Sequence, residues 1–281
     1  MSISIHSALN DLASKLKELS VTPEREAEWL LAQVIGQSHS TLRFNDEQHL
    51  TTAQAEQLNT LLTRRLSGEP LAYVLGDQYF WTLRLKVNSS VLIPRPDTEL
   101  VVERALHHLA RASSGSVLEL GTGSGAIALS IATERPYLRI LATDKSNVAL
   151  AVAEENAALN QIKTVNFLQS DWFSHIPTEG FMAIVSNPPY IAEDDPAIET
   201  SVRQYEPHLA LFSEDQGLAA LKHIIANAPR YLAENGWLIL EHGWQQASIV
   251  SELLESNGFS SVASHADLAG HLRVTEGQLV F

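Results

Sequence analysis

An α/β fold, a mostly parallel sheet preceded by a small helical domain, is what the sequence predicts, and three observations predict it. From residue 1 to about 68, apolar residues recur at three- and four-residue steps, the signature of helices with one buried face. Beyond Gly115, strand-like and helix-like segments alternate, the pattern of a parallel sheet covered on both faces. The first strand of that alternation runs into E-L-G-T-G-S-G-A, residues 119–126, a glycine loop at which backbone can approach a ligand and a helix N-terminus can face an anion.

The helical stretch divides into three. Ile5, Leu9, Leu12, Leu16 and Leu19 form one apolar stripe. Thr22-Pro23 opens a second helix, with proline in its first turn. It carries Ala27, Leu30, Leu31, Val34 and Ile35 and is closed by Gly36. A third is predicted over 52–66, stopped by Ser67-Gly68. His6, His39 and His49 lack metal-ligand spacing, so this region carries no catalytic constellation of its own. From 71 to 94 the period changes to two. Residues 79–87 read as one strand, Asn88-Ser89-Ser90 as a turn and Val91-Leu92-Ile93 as the return, a β-hairpin linking the halves. In P-R-P-D-T-E-L, 94–100, Asp97 or Thr98 is expected to cap the next helix. Strands are then predicted at 116–120, 138–142, 165–168, 182–185 and 237–240, with two more in the tail from 260 to 281. Helices are predicted at 126–133, 146–160, 218–232 and 245–257. The expected domains are 1–70, helical; 71–94, the hairpin linker; and 95–281, the sheet domain.

Composition narrows the function before any motif does. Lys plus Arg number 19 against 33 Asp plus Glu, a net charge of −14; residues 1–90 hold only 8 and 10 of these, so the sheet domain is the acidic part. Duplex nucleic acid is gripped by a basic face that releases counterions, which weighs against DNA as a partner. With no cysteine, disulfides, thiol catalysis and Cys-ligated zinc are excluded. The first twenty residues lack the uninterrupted apolar run of a signal peptide, and no run approaches the ~20 apolar residues that span a bilayer. The expectation is a soluble cytoplasmic protein, a monomer, with no metal and no membrane partner.

Gly121, Thr122, Gly123, Ser124 and Gly125 form the loop itself. Gly121-x-Gly123-x-x-Ala126 satisfies the relaxed dinucleotide fingerprint. On this loop alone NAD(P) and S-adenosylmethionine (AdoMet) stand level, with a purely structural tight turn behind them. Asp144 closes the second sheet strand in L-A-T-D-K, where a carboxylate can take both ribose hydroxyls. Both cofactors carry that ribose, and Asp is also a good helix cap. The third strand ends in S-D-W-F, 170–173. Asp171 there suits an exocyclic amine and Trp172 suits packing beside adenine, the alternative being a tryptophan buried in the core.

The fourth strand separates these readings. F-M-A-I-V runs into S-N-P-P-Y, 186–190, which brings Asn187 to the carboxyl edge of the sheet, where ligands of open α/β folds bind. Pro188 and Pro189 are stiff and lack N–H donors, and a residue before proline stays extended. The loop therefore presents acceptors, the Asn187 side-chain oxygen and the Pro188 carbonyl, and Tyr190 adds a flat face. Two fixed acceptors match the two N–H donors of a planar NH2, whose lone pair then points at an electrophile over the glycine loop. If that electrophile is a sulfonium methyl, positive charge grows on nitrogen during in-line displacement. Acceptor dipoles stabilise it, and proximity supplies much of the rest. No strong base is needed, because the methylated nitrogen sheds its proton readily. Hydride transfer has no use for such a mould, so AdoMet is favoured over NAD(P).

S-N-P-P-Y following E-L-G-T-G-S-G resembles the class I AdoMet-dependent methyltransferases that modify exocyclic or amide nitrogens. The flanking G-E-P-L-A-Y-V-L-G-D-Q-Y-F-W (68–81), V-L-I-P-R-P-D-T-E (91–99), Y-E-P-H-L-A-L-F (205–212) and D-L-A-G-H-L-R-V-T (267–275) resemble the PrmC (HemK) family. The likeness spans nearly the whole chain and is weakest in the first 65 residues. It implies a Rossmann-like, mostly parallel seven-stranded sheet. It also implies methylation of the N5 amide of glutamine in the Gly-Gly-Gln motif of class I peptide chain release factors. By the same resemblance Gly121 to Gly125, Asp144, Trp172 and Asn187 hold AdoMet, and Asn187 and Pro188 hold the substrate amide, with Pro189 and Tyr190 beside it. Arg95 and Glu99 fall near the cofactor, Glu206 behind the site, and the hairpin and N-terminal helices recognise the release factor. Asp97 stands where many members have Glu, which preserves the charge. The glutamine methyltransferase of ribosomal protein L3 shares N-P-P-Y but departs at R-P-D-T-E. An adenine-N6 DNA enzyme would need base flipping and a basic groove. These are the alternatives, in that order.

Overall fold

A computed structural model describes residues 3–37, 41, 48–110, 114–178 and 180–280; His39 lies outside them. The chain forms two compact units, Met1–Asp77 with Glu199–Tyr205 and Gln78–Ile198 with Glu206–Phe281. Among the described residues no helix is long and apolar enough to cross a membrane.

The first unit is helical. α1 (Ile5–Leu16) starts at Ser4, whose hydroxyl accepts the Ser7 N–H at 3.2 Å. α2 (Pro23–Ile35) opens on proline and ends where Gly36 turns left-handed at φ +72°. α3 (Thr52–Leu66) is opened by a reciprocal capping box between Thr51 and Gln54. With α4 (Leu71–Leu75) these helices enclose Ile5, Leu12, Leu16, Leu30 and Leu31. Leu19, expected to prolong the first stripe, lies exposed beyond the helix end. A largely buried pair, Arg65 to Glu26 at 2.8 Å, ties α3 to α2. His6 and His49 are exposed. The short helix Thr200–Tyr205 also belongs here, its Tyr205 hydroxyl donating to the Ser67 carbonyl at 2.9 Å.

The hairpin departs from expectation. Its strands are β1 (Asp77–Phe80) and β2 (Leu83–Lys86), so it turns at Trp81-Thr82 and not at Asn88–Ser90, and residues 71–75 are helical. No Asn-Gly or Gly-Gly marks this turn, because distant carboxylates hold it. Trp81 sits at φ +53° with its N–H donated to Glu99 at 2.8 Å and its indole N–H to Glu134 at 2.9 Å. Asn88 does fold the chain back on itself, accepting the Ser90 N–H at 2.8 Å. The segment after it is no strand, and its Ile93 N–H goes to the Glu206 carboxylate at 3.2 Å.

The second unit is built on a seven-stranded sheet in the order β5-β4-β3-β6-β7-β9-β8. β3 (Ser116–Leu120), β4 (Arg139–Asp144), β5 (Val165–Gln169), β6 (Phe181–Ser186) and β7 (Leu232–Glu241) are parallel. β8 (Phe259–Ala266) and β9 (Leu272–Leu279) close one edge antiparallel. The resemblance-based expectation of a class I methyltransferase sheet is met. Period-two alternation sends Val117, Ala183, Val185 and Ile239 to one face and Leu118, Leu120, Ile184, Leu238 and Leu240 to the other. α5 (Glu99–His108) and α6 (Ala126–Glu134) pack on the first face, through Val101, Ala105, Ile127 and Ile131. α7 (Asn147–Leu159) follows β4 on the same side. α8 (Ala219–Asn227) and α9 (Ala247–Ser256) cover the second through Leu221, Ile224, Val250 and Leu254.

Two smaller expectations are corrected. The helix expected over 218–232 yields after Asn227 to a 3-10 turn at Ala228–Arg230, since Pro229 has no N–H to continue it. Neither Asp97 nor Thr98 caps α5 through its side chain; Thr98 already has helical backbone, φ −66° and ψ −20°, whereas a cap residue is typically extended.

Candidate active site

The order 5-4-3-6-7 reverses direction between β3 and β6, the topological switch point at which open α/β sheets bind ligands. β3 and β6 pair in parallel with Leu120 opposite Ser186. Residues 121 and 187 therefore leave the sheet side by side. The Ser186 hydroxyl locks that register by donating to the Leu120 carbonyl at 2.7 Å.

The glycine loop is held from below by a buried carboxyl. Glu119 accepts the Thr122 hydroxyl at 2.5 Å and the Ala128 N–H of α6 at 3.1 Å. Burial pushes this carboxyl up to about 8, against the pull of those two donors. The Thr122 and Ser124 side chains are thus turned into the protein, away from the cavity above. Gly125, at φ +85°, is needed for close packing: a Cβ there would meet Leu129 at 3.0 Å and Ala153 at 3.3 Å. Asn156 of α7, fully buried, clamps the loop by donating to the Ser124 carbonyl at 2.9 Å while bonding both backbone groups of Lys86. Asp144 at the end of β4 accepts the Gly123 N–H and the Ser146 N–H, each at 2.9 Å. Burial raises its pKa, with those N–H groups opposing the rise. The helix after it is capped by Ser146, whose hydroxyl accepts from Ala149 at 3.3 Å, so Asp144 is not the cap.

Above the loop lies a cavity of about 810 Å³, the size of a cofactor or drug-like ligand site. Gly121, Gly123, Asp144, Trp172, Asn187 and Pro189 line it, and Thr122, Ser124, Gly125, Pro188 and Tyr190 do not. Trp172 takes φ +50°, with its carbonyl bonded by the Ser170 hydroxyl at 2.7 Å. This turns Trp172 to the cavity while Phe173 stacks on Tyr231 in the core at 4.6 Å. Asp171 also faces the cavity, where Lys145 pairs with it at 2.8 Å. His223 of α8 completes the wall near Trp172.

The N-P-P-Y loop is backed on several sides. Asn187 Nδ2 donates to Thr98 Oγ1 at 3.2 Å. The Tyr190 ring packs against the core, and its hydroxyl donates to Glu241 at 3.2 Å; burial and then the Glu241 charge raise its pKa. The Tyr190 carbonyl accepts from Gln246 at 3.0 Å. Gly217 lies so close behind that a Cβ would stand 2.2 Å from that carbonyl oxygen. Arg95 pairs with buried Glu206, which with the Ile93 N–H fixes the segment before α5. Glu99 is engaged by Trp81 and lies outside the cavity lining.

Of the residues singled out in the sequence, the structure brings Gly121, Gly123, Asp144, Trp172, Asn187 and Pro189 to one cavity; Glu119, Asn156, Thr98 and Glu241, which bond to the segments around it, were not singled out as site residues. Two of these carried a signal. Glu119 and Glu241 are each a single acid at the end of an apolar strand, in V-L-E-L and L-I-L-E, where a charge is costly unless it has work to do.

The PrmC N-terminal domain family matches residues 7–76, and the methyltransferase small domain family matches residues 99–209. The release factor glutamine methyltransferase of Coxiella burnetii is 42% identical over 97% of this chain and 98% of its own. That of Yersinia pestis is 47% identical over 92% and 93%. A methyltransferase from Pyrococcus furiosus, solved by crystallography, superposes with a TM-score of 0.52 at 16% identity, covering 81% of this chain and 99% of that one; it shows the shared fold.

Proposed function

Because the chain belongs to the release factor glutamine methyltransferase family, we propose that it transfers a methyl group from AdoMet to the N5 amide nitrogen of the glutamine in the Gly-Gly-Gln motif of class I peptide chain release factors. The observation that carries this reading is the pairing of Leu120 with Ser186, which brings a ligand-sized glycine-lined cavity together, at one strand edge, with a loop whose two prolines lack N–H donors.

The cavity's chemistry fits the cofactor. Gly121 leaves room for a ligand to lie against backbone, Asp144 offers carboxylate oxygens to ribose hydroxyls, and Trp172 gives adenine an apolar neighbour. Bound there, AdoMet supplies an electrophilic methyl on a positively charged sulfur. Asn187 Oδ1 and the Pro188 carbonyl accept the two N–H groups of the glutamine amide and hold its plane, with Pro189 and Tyr190 bracing the loop. In the transfer a carbon–nitrogen bond forms as the carbon–sulfur bond breaks. The nitrogen then releases one proton to solvent, so the site requires no dedicated base. The acceptors bind the growing positive charge more tightly than the neutral amide, which is what lowers the barrier. The helices of residues 1–70 and the hairpin serve the release factor's surroundings of the reacting loop, and the reading places the protein in the cytoplasm, where release factors act.

The test is methyl transfer from labelled AdoMet to purified release factor, beside a Gly-Gly-Gln to Gly-Gly-Ala variant, ribosomal protein L3 and adenine-containing DNA. Label on the intact factor, lost with the glutamine, is the expected result. Label on L3 or DNA instead would overturn the substrate assignment.

A further inference from the structure

An asparagine serves as an acceptor only one way round. Rotated by half a turn, its amide would set N–H groups against the N–H groups of the substrate. The 3.2 Å bond from Asn187 Nδ2 to Thr98 Oγ1 fixes the useful orientation only while Thr98 offers a lone pair and sends its hydrogen elsewhere. The carboxyl that bears on Thr98 is that of Glu241, at the end of β7 and 1% exposed, whose charged form the Thr98 hydroxyl favours. The same carboxyl accepts the Tyr190 hydroxyl at 3.2 Å, and its second oxygen, Oε2, is buried without a partner. A buried oxygen left unpaired costs stability, so this acid is not explained by holding the fold together.

Resting on the methyl-transfer reading above, we propose that Glu241 is a positioning residue: through Thr98 it keeps the Asn187 oxygen turned toward the substrate amide, and through Tyr190 it holds the ring behind it. The orientation depends on Glu241 being charged. Protonated, it offers its own hydrogen to Thr98, whose hydrogen is then free to turn toward Asn187 and reverse its amide. Burial, opposed by Thr98 and Tyr190, pushes this carboxyl up to about 7. The other groups facing it are Asp97 beside Thr98, which adds to the rise, and Arg273 of β9, which opposes it. Arg95 bears on Tyr190, and His242, next in the chain, is bonded to Thr275 at 2.6 Å.

The experiment measures kcat and KM with the release factor substrate, AdoMet affinity by calorimetry and thermal unfolding, all on full-length protein. Glu241→Gln lets an amide donate to Thr98, and Thr98→Val removes the hydroxyl. Both are expected to lower kcat by about tenfold or more, as misplacement of a reacting group does, with AdoMet affinity changed less than about threefold. Thr98→Ser restores most of the rate lost in Thr98→Val. The double variant is no slower than the worse single one, because both act through one chain of contacts. In the wild type kcat falls as pH drops below about 7, and in Glu241→Gln this limb is absent; the wild-type profile is readable even if a variant fails to fold. Variants with wild-type kcat, or a wild-type rate flat through that range, would overturn the proposal. A wild type that methylates no release factor would overturn the functional reading instead.

Discussion

The two halves of the site rest on two buried carboxyls, and the carboxyls differ. Glu119, beneath the glycine loop, accepts from a hydroxyl and a helix N–H, both on the one oxygen Oε2. Glu241, behind N-P-P-Y, accepts the Tyr190 hydroxyl, has its charge favoured by Thr98 and keeps one oxygen unpaired. An acid tied both to the loop it carries and to the first turn of the helix that follows builds a fixed floor for a ligand. An under-satisfied acid reached through rotatable hydroxyls sets the direction of a side chain. On the proposed reading, one half binds and the other orients.

The largest break in that comparison is expected from Asn187→Ala. Removing the acceptor should lower kcat by ~10²–10³, the usual cost of deleting a transition-state-stabilising hydrogen-bonding group, while calorimetry finds AdoMet affinity nearly intact. A mutant working at the wild-type rate would end the acceptor account. Asp144→Asn is the converse: AdoMet binding should weaken roughly 10–100-fold, the worth of a charged hydrogen bond, with kcat at saturating AdoMet little changed. If kcat falls and affinity holds, the halves are not separable as described. Gly217→Ala drives a methyl into the Tyr190 carbonyl and forces a non-glycine residue to φ +86°. It should cost about 1–3 kcal/mol, seen in thermal unfolding, and lower kcat without touching AdoMet affinity. The smallest effect is a pH dependence. Glu119 moves from an ordinary 4.5 to about 8 on folding, so the folded state holds its proton more tightly. That stability is complete below 4.5 and is lost as pH rises toward 8. Melting curves should therefore fall less with pH in Glu119→Gln than in the wild type, and parallel curves would mean the carboxyl is not so held.

What could be read in the sequence was contiguous. The glycine loop, L-A-T-D-K and S-N-P-P-Y each sit at a strand end, and strand periodicity placed all three on one edge. What could not be read was assembled across distance. Thr98 lies 89 residues from Asn187, and nothing near it in the chain says that its hydroxyl bonds anything but its own helix. The hairpin turn was missed for the same reason, since Trp81 is held at positive φ by Glu99 and Glu134 from separate helices. Side chains such as Thr122 and Ser124 sit inside the glycine motif yet face inward, away from the cavity that Gly121 and Gly123 line. The three long helices of the first unit were legible from spacing, whereas Leu71–Leu75, expected as part of the hairpin, and Thr200–Tyr205 were not.

The Leu120–Ser186 pairing also has a meaning in time. The two chain segments it joins are 66 residues apart, and a one-residue slip would turn every side chain of β6 to the opposite face of the sheet. Long-range pairing of this kind is slow to form. A nascent chain that has made the glycine loop but not yet docked β6 therefore has a cradle and no mould. Chemical competence arrives in one step, with the strand that proves the sheet is correctly closed.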